Sequence, residues 1–289
     1  METQKQFKRR FSFEFFPPKT DKGWDKLQGV RNTLAEVDPD FFSVTFGAGG
    51  STRDRTVQTV LDLHKRGVST APHLSCVGAT RNGIAELLDV YRDNGINRIV
   101  ALRGDMPSGM GAAGELRYAN ELVSFIREYS GDTFNIEVAA YPEFHPQART
   151  AEDDLKNFAR KVEAGANSAI TQYFFNADSY FYFIDRLEKM GVTIPVVPGI
   201  MPIVNFSNLT RFSDMCGAEI PRWIRKQLEA YGDDSDSIRK FGEEMVTEMC
   251  AKLIAAGAPG LHFYTLNQAE PSLSIWKNLG IGEREKIAF

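Results

Sequence analysis

A glutamate within an aromatic segment is the first residue with the character of an acid–base group. Glu14 lies in segment 11–15, whose sequence is FSFEF. Strand alternation would place the three phenylalanines on one face and the carboxyl group on the other, pointing into the protein. We expect burial to raise the pKa of this carboxyl group, as a general acid near neutral pH requires. The same pattern is equally compatible with a structural ion pair, for example with Arg103.

Arg103, Asp105 and Gln172 extend the set of candidate binding residues. Arg103 and Asp105 follow the apolar segment 99–102 and alternate onto the same side. There Arg103 could bind an anion and Asp105 could accept from a heterocyclic N–H, or the two could pair with each other or cap the next helix. Gln172 stands among aromatic residues in segment 171–175, TQYFF, where its amide suits the edge of a pterin, flavin or nicotinamide.

Two glycine-rich segments and one helix are weaker candidates. Segment 47–52, GAGGST, could bring backbone amides to a phosphate, although such turns more often only reverse the chain. Segment 109–114 matches GxGxxG but does not follow the first strand, so we interpret it as a loop over the site. A third pattern has helical spacing, which by itself is typical of a solvated helix face. Its members are Asp154, Asn157, Arg160 and Lys161.

Short apolar segments alternate with amphipathic stretches along the whole chain. The predicted strands are 11–16, 41–46, 70–76, 98–104, 135–141, 169–175, 195–200 and 261–266. The first seven begin roughly 25–35 residues apart, the length of one βα unit. The gap before the last is about 65 residues, room for two helices and a loop that we assign to 217–236. Eight units without a linker predict an α/β fold, a single (β/α)8 TIM-type barrel over residues 1–289 with an extended connection before the last strand.

The barrel prediction explains where the polar candidates fall. Catalytic groups of such barrels lie at the carboxyl ends of the strands and in the loops that follow. Residues at these predicted ends include Glu14, Thr45, His73, Arg103, Asp105, Tyr141 and Gln172. We therefore expect the polar side chains to converge at one mouth of the barrel.

The composition excludes several classes of protein. The chain has 289 residues, of which 43% are hydrophobic and 25% charged, and its net charge is −4. An acidic chain argues against a broad nucleic-acid surface, and no apolar segment approaches the roughly 20 residues of a membrane span. Three cysteines without CxxC spacing and four separated histidines argue against a disulfide scaffold and a metal site. The polar N-terminus does not resemble a secretory signal, so we expect a cytoplasmic protein that binds no metal, nucleic acid or membrane.

Several motifs together resemble the methylenetetrahydrofolate reductase family, in its short bacterial form that is only a catalytic barrel. They occur in family order from residue 11 to about residue 270. The matching segments are 13–18 (FEFFPP), 43–48 (SVTFGA), 72–76 (PHLSC), 101–105 (ALRGD), 140–143 (AYPE), 145–146 (HP), 165–166 (GA), 170–172 (ITQ), 198–200 (PGI) and 262–267 (HFYTLN). The resemblance implies a non-covalent FAD enzyme. Such an enzyme reduces 5,10-methylenetetrahydrofolate to 5-methyltetrahydrofolate with NADH or NADPH, by ping-pong hydride transfer through the flavin.

The resemblance also implies roles for individual residues. Glu14 matches the general acid that helps to open the imidazolidine ring of the folate, and Asp105 matches a residue that contacts the pterin and influences the flavin. Gln172 matches an amide that serves folate and nicotinamide in turn, and Thr45 matches a nicotinamide contact. Phe212 matches an aromatic side chain near the substrate. The FAD contacts of the family fall on Phe46, Ala48, His73, Arg103, Gly104, Asp105, Tyr118, Ala119, Tyr141, His145, Ala148, Asp154, Asn157, Arg160 and Lys161.

The implied FAD contacts change the interpretation of the helical pattern at 154–161. Arg160 and Lys161 would supply local positive charge to the pyrophosphate, which an otherwise acidic chain lacks. The resemblance therefore implies that this helix face contacts the cofactor.

Three positions depart from the pattern of the enteric-type enzymes. Asn208 occupies a position where the family has a glutamine that contacts folate. Gln268 occupies a position where an arginine could pair with the glutamate tail of the folate. Phe46 replaces a more usual tyrosine. We still assign Asn208 and Gln268 to the substrate. The family forms dimers and tetramers, which implies a homo-oligomer. Two other interpretations stay open: a flavin-free barrel enzyme acting on a pterin or phosphorylated substrate, and a folate- or flavin-binding barrel without turnover.

Overall fold

Parallel strands alternate with helices throughout the chain, of which the computed structural model describes residues 1–47, 53–105 and 114–282. The strands are β1 (Arg10–Phe15), β2 (Phe41–Val44), β3 (Thr70–Ser75), β4 (Arg98–Leu102), β5 (Asn135–Ala140), β6 (Ser168–Thr171), β7 (Val196–Val197), β8 (Gly199–Ile200) and β9 (Gly260–Tyr264). The helices are α1 (Glu2–Lys5), α2 (Asp21–Ala35), α3 (Arg53–Lys65), α4 (Arg81–Asp93), α5 (Ala119–Ser130), α6 (Ala151–Glu163), α7 (Ala177–Lys189), α8 (Phe206–Cys216), α9 (Arg222–Tyr231), α10 (Ser235–Ala255) and α11 (Glu270–Leu279).

The strands form a nearly closed barrel of the predicted (β/α)8 class. Their order is β7-β6-β5-β4-β3-β2-β1-β9-β8, and every neighbouring pair is parallel. The two ends of this order, β7 and β8, belong to one stretch of chain that only Pro198 divides. Proline has no backbone N–H for the ladder, whereas its carbonyl still accepts from His262 N at 2.9 Å. The predicted seventh strand is therefore two short strands that close the barrel from either side.

The two faces of β1 are those that the alternation predicts. Phe13 and Phe15 are fully buried on the helix side. Phe13 stacks on Phe263 of β9 with ring centroids 5.4 Å apart, and its centroid lies 5.6 Å from that of Trp276 on α11. Each fully buried side chain of this size contributes roughly 1.5–3 kcal/mol. The aromatic cluster thus fixes the face of β1 that meets the helices, and Glu14 points to the other side, into the barrel mouth.

Four predicted strands run two to four residues past the observed strand ends at the mouth. Strand β2 ends at Val44, β4 at Leu102, β6 at Thr171 and β9 at Tyr264. Residues beyond the ladder remain apolar because they pack under the loops, as Phe174 does with no exposed surface. Apolar character alone does not mark the point where strand pairing stops.

The connection before β9 contains three helices, so the loop predicted at 217–236 is wrong. Helix α9 occupies Arg222–Tyr231 within that segment, and α10 begins at Ser235. Pro221 precedes the first residue of α9 and Gly232 follows its last. Proline at a helix start and glycine after a helix end are boundary signals, so the residues that suggested a loop delimit a helix. None of the helices in the described ranges, the 21-residue α10 included, is long and apolar enough to cross a membrane.

Candidate active site

A cavity of about 640 Å³ opens at the carboxyl-terminal ends of the strands. The ends of β1, β3, β4, β5, β6 and β9 contribute to its wall, and helix α8 covers one side. It brings together eight residues that the sequence singled out: Glu14, His73, Arg103, Asp105, Tyr141, His145, Gln172 and Phe212. These residues are far apart in sequence and meet because the strands of a parallel barrel all point their carboxyl ends to one mouth.

Glu14 lies against two histidines at the bottom of this central cavity. Its Oε2 atom is 3.3 Å from Nε2 of His73 and 3.6 Å from Nε2 of His262. His262 is fully buried, and its Nδ1 shares a 2.7 Å hydrogen bond with Ser12 Oγ. Glu14 and its neighbours thus form a carboxylate–imidazole cluster (Glu14, His73 and His262). No group of three or more His, Cys, Asp or Glu side chains in the described part of the chain is arranged to hold a metal ion.

The pKa of Glu14 differs from the expectation. Burial raises it, but the contacts and positive charge of His262 and His73 more than offset burial and lower the pKa to about 2. The predicted rise is therefore wrong, because the apolar neighbours lie on the opposite face of β1 while the inward face meets imidazoles. The structural alternative, an ion pair, is present with the two histidines and not with Arg103. Among the described residues Arg103 forms no salt bridge with Glu14, and its Nε donates to Gly104 O at 3.2 Å.

The turn at 103–105 presents Arg103 and Asp105 to the cavity. Gly104 has a φ of +85°, and a Cβ atom there would lie 1.9 Å from Oγ of Ser75. Ser75 Oγ donates to the carbonyl oxygen of Arg103 at 2.9 Å, which holds the turn against β3. Glycine at this position is therefore required both by backbone conformation and by space. Arg103 and Asp105 also line a second cavity of about 250 Å³, together with Phe46 and Gly104.

Lys161 of α6 is partly buried and directs its ammonium group towards the barrel. Its Nζ donates to the carbonyl oxygen of Ala139 at 2.5 Å and lies 5.4 Å from the ring centroid of Phe158. Burial lowers the pKa of Lys161 to about 8. An ammonium group carries three donors, and the bond to Ala139 uses one of them. A ligand anion in the adjoining cavity would favour the charged form of this side chain.

The other predicted residues of α6 line an open groove instead of a plain solvated face. Asp154, Asn157, Arg160 and Lys161 border a groove of about 670 Å³ beside the central cavity. Asp154 Oδ2 accepts from His145 N at 2.9 Å, and Asn157 Oδ1 accepts from Arg160 Nη1 at 2.9 Å. Helical spacing alone could not distinguish this arrangement from a solvated face. Tyr118, Ala119 and Ala148 line the same groove.

The three cavities form one continuous cleft. Arg103, Tyr141 and His145 line all of them. Tyr141 and His145 meet edge to face, with ring centroids 4.6 Å apart. Burial raises the pKa of Tyr141 to about 12 and lowers that of His145, so both side chains are held neutral at the junction. The cleft thus joins a carboxylate–imidazole end to an end rich in cations.

Three predicted site residues in the described part of the chain do not line this cleft. A further predicted residue, Ala48, lies outside the described residues. Thr45 follows β2, and its backbone N–H donates to Phe15 O at 2.9 Å. Asn208 is exposed on the first turn of α8. Gln268 borders a separate cavity of about 190 Å³, next to Arg239.

The structure adds residues to the site that the sequence did not identify: His262 contacts Glu14 from below the surface, and Tyr264 lines the central cavity. His262 and Tyr264 alternate on β9 and so share the inward face, the same signal that identified Glu14. His262 appears in the motif at 262–267 only as part of the resemblance. Tyr173, Met201 and Cys216 also line the central cavity, and no sequence pattern distinguished them from ordinary core residues.

The fold and the site together define a (β/α)8 barrel whose strand ends carry a carboxylate–imidazole cluster beside a cation-lined groove. Residues 1–280 match the family model described as methylenetetrahydrofolate reductase. The chain is 42% identical, over 271 residues, to the 5,10-methylenetetrahydrofolate reductases of Salmonella typhimurium and Escherichia coli, covering 93% of this chain and 90% of each of those. The chain therefore belongs to the methylenetetrahydrofolate reductase family, as the motifs indicated.

A plant relative and a solved structure widen this comparison. A probable methylenetetrahydrofolate reductase (NADH) of Oryza sativa is 39% identical over 292 residues, which cover 96% of this chain and 49% of the plant protein. A solved structure of an uncharacterized protein from Clostridium thermocellum, which binds two copies of 5-methyl-5,6,7,8-tetrahydrofolic acid, has a TM-score of 0.67 and 15% identity over 100% of this chain and 98% of that one. At this identity the likeness confirms the barrel fold alone.

Proposed function

We propose that this chain reduces 5,10-methylenetetrahydrofolate to 5-methyltetrahydrofolate, with electrons from NADH or NADPH that pass through a non-covalently bound FAD. One observation carries the proposal: Glu14, Asp105 and Gln172 line a single cavity that is continuous with the groove of Arg160 and Lys161. The names of the bacterial relatives support the same reaction, and the name of the plant relative supports NADH as a donor.

The residues of the cleft fit a dinucleotide such as FAD. The cation-rich groove suits a pyrophosphate, because the partly buried Lys161 has N–H donors beyond the one that Ala139 accepts from, and Arg160 stands one residue away. Tyr141 and His145 offer neutral flat rings at the junction. The proposed FAD contacts are Phe46, Ala48, His73, Arg103, Gly104, Asp105, Tyr118, Ala119, Tyr141, His145, Ala148, Asp154, Asn157, Arg160 and Lys161. When bound, FAD would supply the hydride that a nicotinamide has delivered to it.

Glu14 is the proposed proton donor for opening the imidazolidine ring of the folate. Its low pKa means that the carboxyl group is ionised at neutral pH. Glu14 must therefore receive a proton before it can donate one, and the imidazoles of His73 and His262, which both contact the same oxygen, are the proposed source. An imidazolium can pass a proton to Oε2 as the ring nitrogen of the folate takes one from Glu14. In this proposal Glu14 relays a proton from the neighbouring imidazoles to the folate.

Asp105 and Gln172 are the proposed recognition groups for the planar ligands. A carboxylate accepts from the N–H groups of a pterin, and an amide offers one donor edge and one acceptor. Gln172 Oε1 accepts from Tyr173 N at 3.0 Å, which orients its NH2 group. We assign Gln172 to folate and nicotinamide in turn, Thr45 to nicotinamide, and Phe212, Asn208 and Gln268 to folate.

A spectroscopic experiment tests the proposed function. The purified protein, loaded with FAD, should lose its absorbance near 450 nm on anaerobic addition of NADH or NADPH and recover it on addition of 5,10-methylenetetrahydrofolate. The recovery should yield 5-methyltetrahydrofolate. A protein that takes up no FAD, or whose reduced flavin is not reoxidised by the folate, contradicts the proposal and would favour the flavin-free barrel enzyme or the binding barrel.

A further inference from the structure

The interrupted seventh strand leaves a seam in the barrel wall. Strand β7 pairs with β6, whereas β8 pairs with β9, and Pro198 stands between them. The pairing of β6 with β7 includes Ile170 with Val197 and does not reach Thr171. Thr171, the last residue of β6, therefore pairs with Ala140 of β5 but, among the described residues, has no ladder partner on the side of β7. Gln172 follows it directly in the chain.

Tyr264 crosses this seam from β9. Its hydroxyl group donates to the carbonyl oxygen of Thr171 at 2.7 Å, and Thr171 Oγ1 accepts from Gly199 N at 2.9 Å. In the register of β1 and β9, Tyr264 is the partner of Glu14. Tyr264 thus links the strand that carries Glu14 to the end of β6. We name this contact the Tyr264 brace (Tyr264, Thr171 and Gly199).

Gly199 is the residue that makes room for the brace. A Cβ atom at this position would lie 2.1 Å from Thr171 O and 2.6 Å from Cε2 of Tyr264. Both atoms belong to the brace itself, so any larger residue would separate the tyrosine from its acceptor. The glycine, the tyrosine and the threonine carbonyl form one unit.

We propose that Tyr264 is a positioning residue for ligand binding, which holds the backbone at Gln172 at a set distance from Glu14. Gln172 N donates to Ala140 O at 2.7 Å on the side of β5, and the Tyr264 brace fixes the preceding peptide on the side of β9. The amide side chain of Gln172 lines the same cavity as Glu14. This inference rests on the proposed function, because it takes Gln172 to bind folate and nicotinamide in turn.

The variant Tyr264→Phe tests the brace, since it keeps the ring and removes only the hydroxyl group. Loss of the hydroxyl group weakens binding only as far as the bound state depends on the set position of Gln172, and the contribution of one buried hydrogen bond limits that loss to about fivefold. We expect KM to rise about fivefold for methylenetetrahydrofolate and for the nicotinamide alike, with kcat changed less than about twofold. The Kd of 5-methyltetrahydrofolate, measured by calorimetry, should rise by the same factor as KM.

Tyr180→Phe is the matched control. The Tyr180 hydroxyl donates to Val196 O at 2.7 Å, so this variant also loses a buried bond from a tyrosine to a strand carbonyl. That bond lies on the helix side of the wall, away from the cavity. The control should lower the melting temperature by a similar amount and leave both KM values unchanged.

A double-mutant cycle distinguishes positioning from direct contact. If Tyr264 acts through Gln172, then Tyr264→Phe should have no further effect on KM in a Gln172→Ala background. Additive effects, a rise confined to one of the two substrates, or unchanged KM and Kd values would overturn the inference. So would a Tyr264→Phe protein that fails to fold while Tyr180→Phe folds, since the bond would then serve stability alone. Failure of the proposed function appears differently, as absence of flavin reduction or folate turnover in the unaltered protein.

Discussion

Two carboxylates point into the same barrel at opposite ends, and their partners differ. Near the amino ends of the strands, Glu137 is buried against Arg98, with Ser168 donating to its second oxygen. Near the carboxyl ends, Glu14 faces His73 and His262. Both side chains are on inward faces of strands, so alternation and burial do not separate them.

The partner cation decides what each carboxylate can do. Arginine keeps its charge at any pH that a protein tolerates, so Glu137 faces a permanent cation in Arg98. Arg98 is held further by Asn135 and lies over the ring of Phe41. An imidazole can both donate and accept a proton, so the cluster at Glu14 contains groups able to exchange one. The Arg98–Glu137 pair (the lower pair) therefore stabilises the barrel. We propose chemistry only for the carboxylate–imidazole cluster at Glu14 (the upper cluster).

The largest expected effect is on catalysis at the upper cluster. Glu14→Gln should slow reoxidation of the reduced flavin by methylenetetrahydrofolate about 100- to 10,000-fold, because the amide cannot deliver a proton. Reduction of the flavin by nicotinamide should change less than about threefold, since that step needs no acid. Stopped-flow measurement of each half-reaction tests this. Equal loss in both half-reactions would remove Glu14 from the acid role.

The next effect is on stability at the lower pair. Arg98→Met leaves Glu137 as an uncompensated buried charge, which should lower the free energy of unfolding by about 3–5 kcal/mol. Urea denaturation measures this. The control Arg92→Met removes an exposed pair with Asp89 on α4 and should cost about 0–1 kcal/mol. Equal losses in the two variants would contradict a structural role for the buried pair.

The low pKa of Glu14 predicts a pH dependence of stability. A carboxyl group with a folded pKa of about 2, below its ordinary value of 4.5, stabilises the folded state above pH 4.5. That contribution, about 3 kcal/mol, declines as the pH falls from 4.5 towards 2 and is absent below 2. The unfolding free energies of the unaltered protein and of Glu14→Gln should therefore converge as the pH falls from 4.5 towards 2. Parallel curves would show that His73 and His262 do not lower the pKa.

The smallest expected effect is on the cation-rich end of the cleft. Lys161→Met should weaken FAD binding by about 10- to 100-fold, the loss of a charge-assisted hydrogen bond to phosphate. Lys161→Arg should restore part of that affinity. Fluorescence titration of the apoprotein with FAD measures both, with the exposed Lys252→Met as control. An unchanged Kd in Lys161→Met would place the pyrophosphate elsewhere.

Much of this arrangement was predictable because it depends on local patterns. The alternation of segment 11–15 correctly assigned Phe13 to the helices and Glu14 to the barrel mouth. The spacing of strands and helices correctly predicted the barrel, and the motifs correctly identified the family. Strand ends at the mouth were predicted less well, because apolar residues such as Phe174 continue to pack beyond the ladder.

The sequence pattern could not predict properties that depend on contacts between residues far apart in the chain. The sequence shows Glu14 among phenylalanines and so predicts a raised pKa. The lowered pKa comes from His262 and His73, which are 248 and 59 residues away in the chain. Gln268 follows a family motif, yet its side chain borders a different cavity from the one that holds Glu14.

The sequence by itself determined the class of barrel, the family and the faces of the strands, because periodicity and short motifs are properties of neighbouring residues. Only the tertiary structure decided which side chains face one another across the barrel. That juxtaposition sets the charge state of Glu14, the burial of Lys161 and the contact of Tyr264 with Thr171. The reason is physical: a pKa and a hydrogen bond depend on distances through space, and the closed parallel barrel sets those distances independently of separation along the chain.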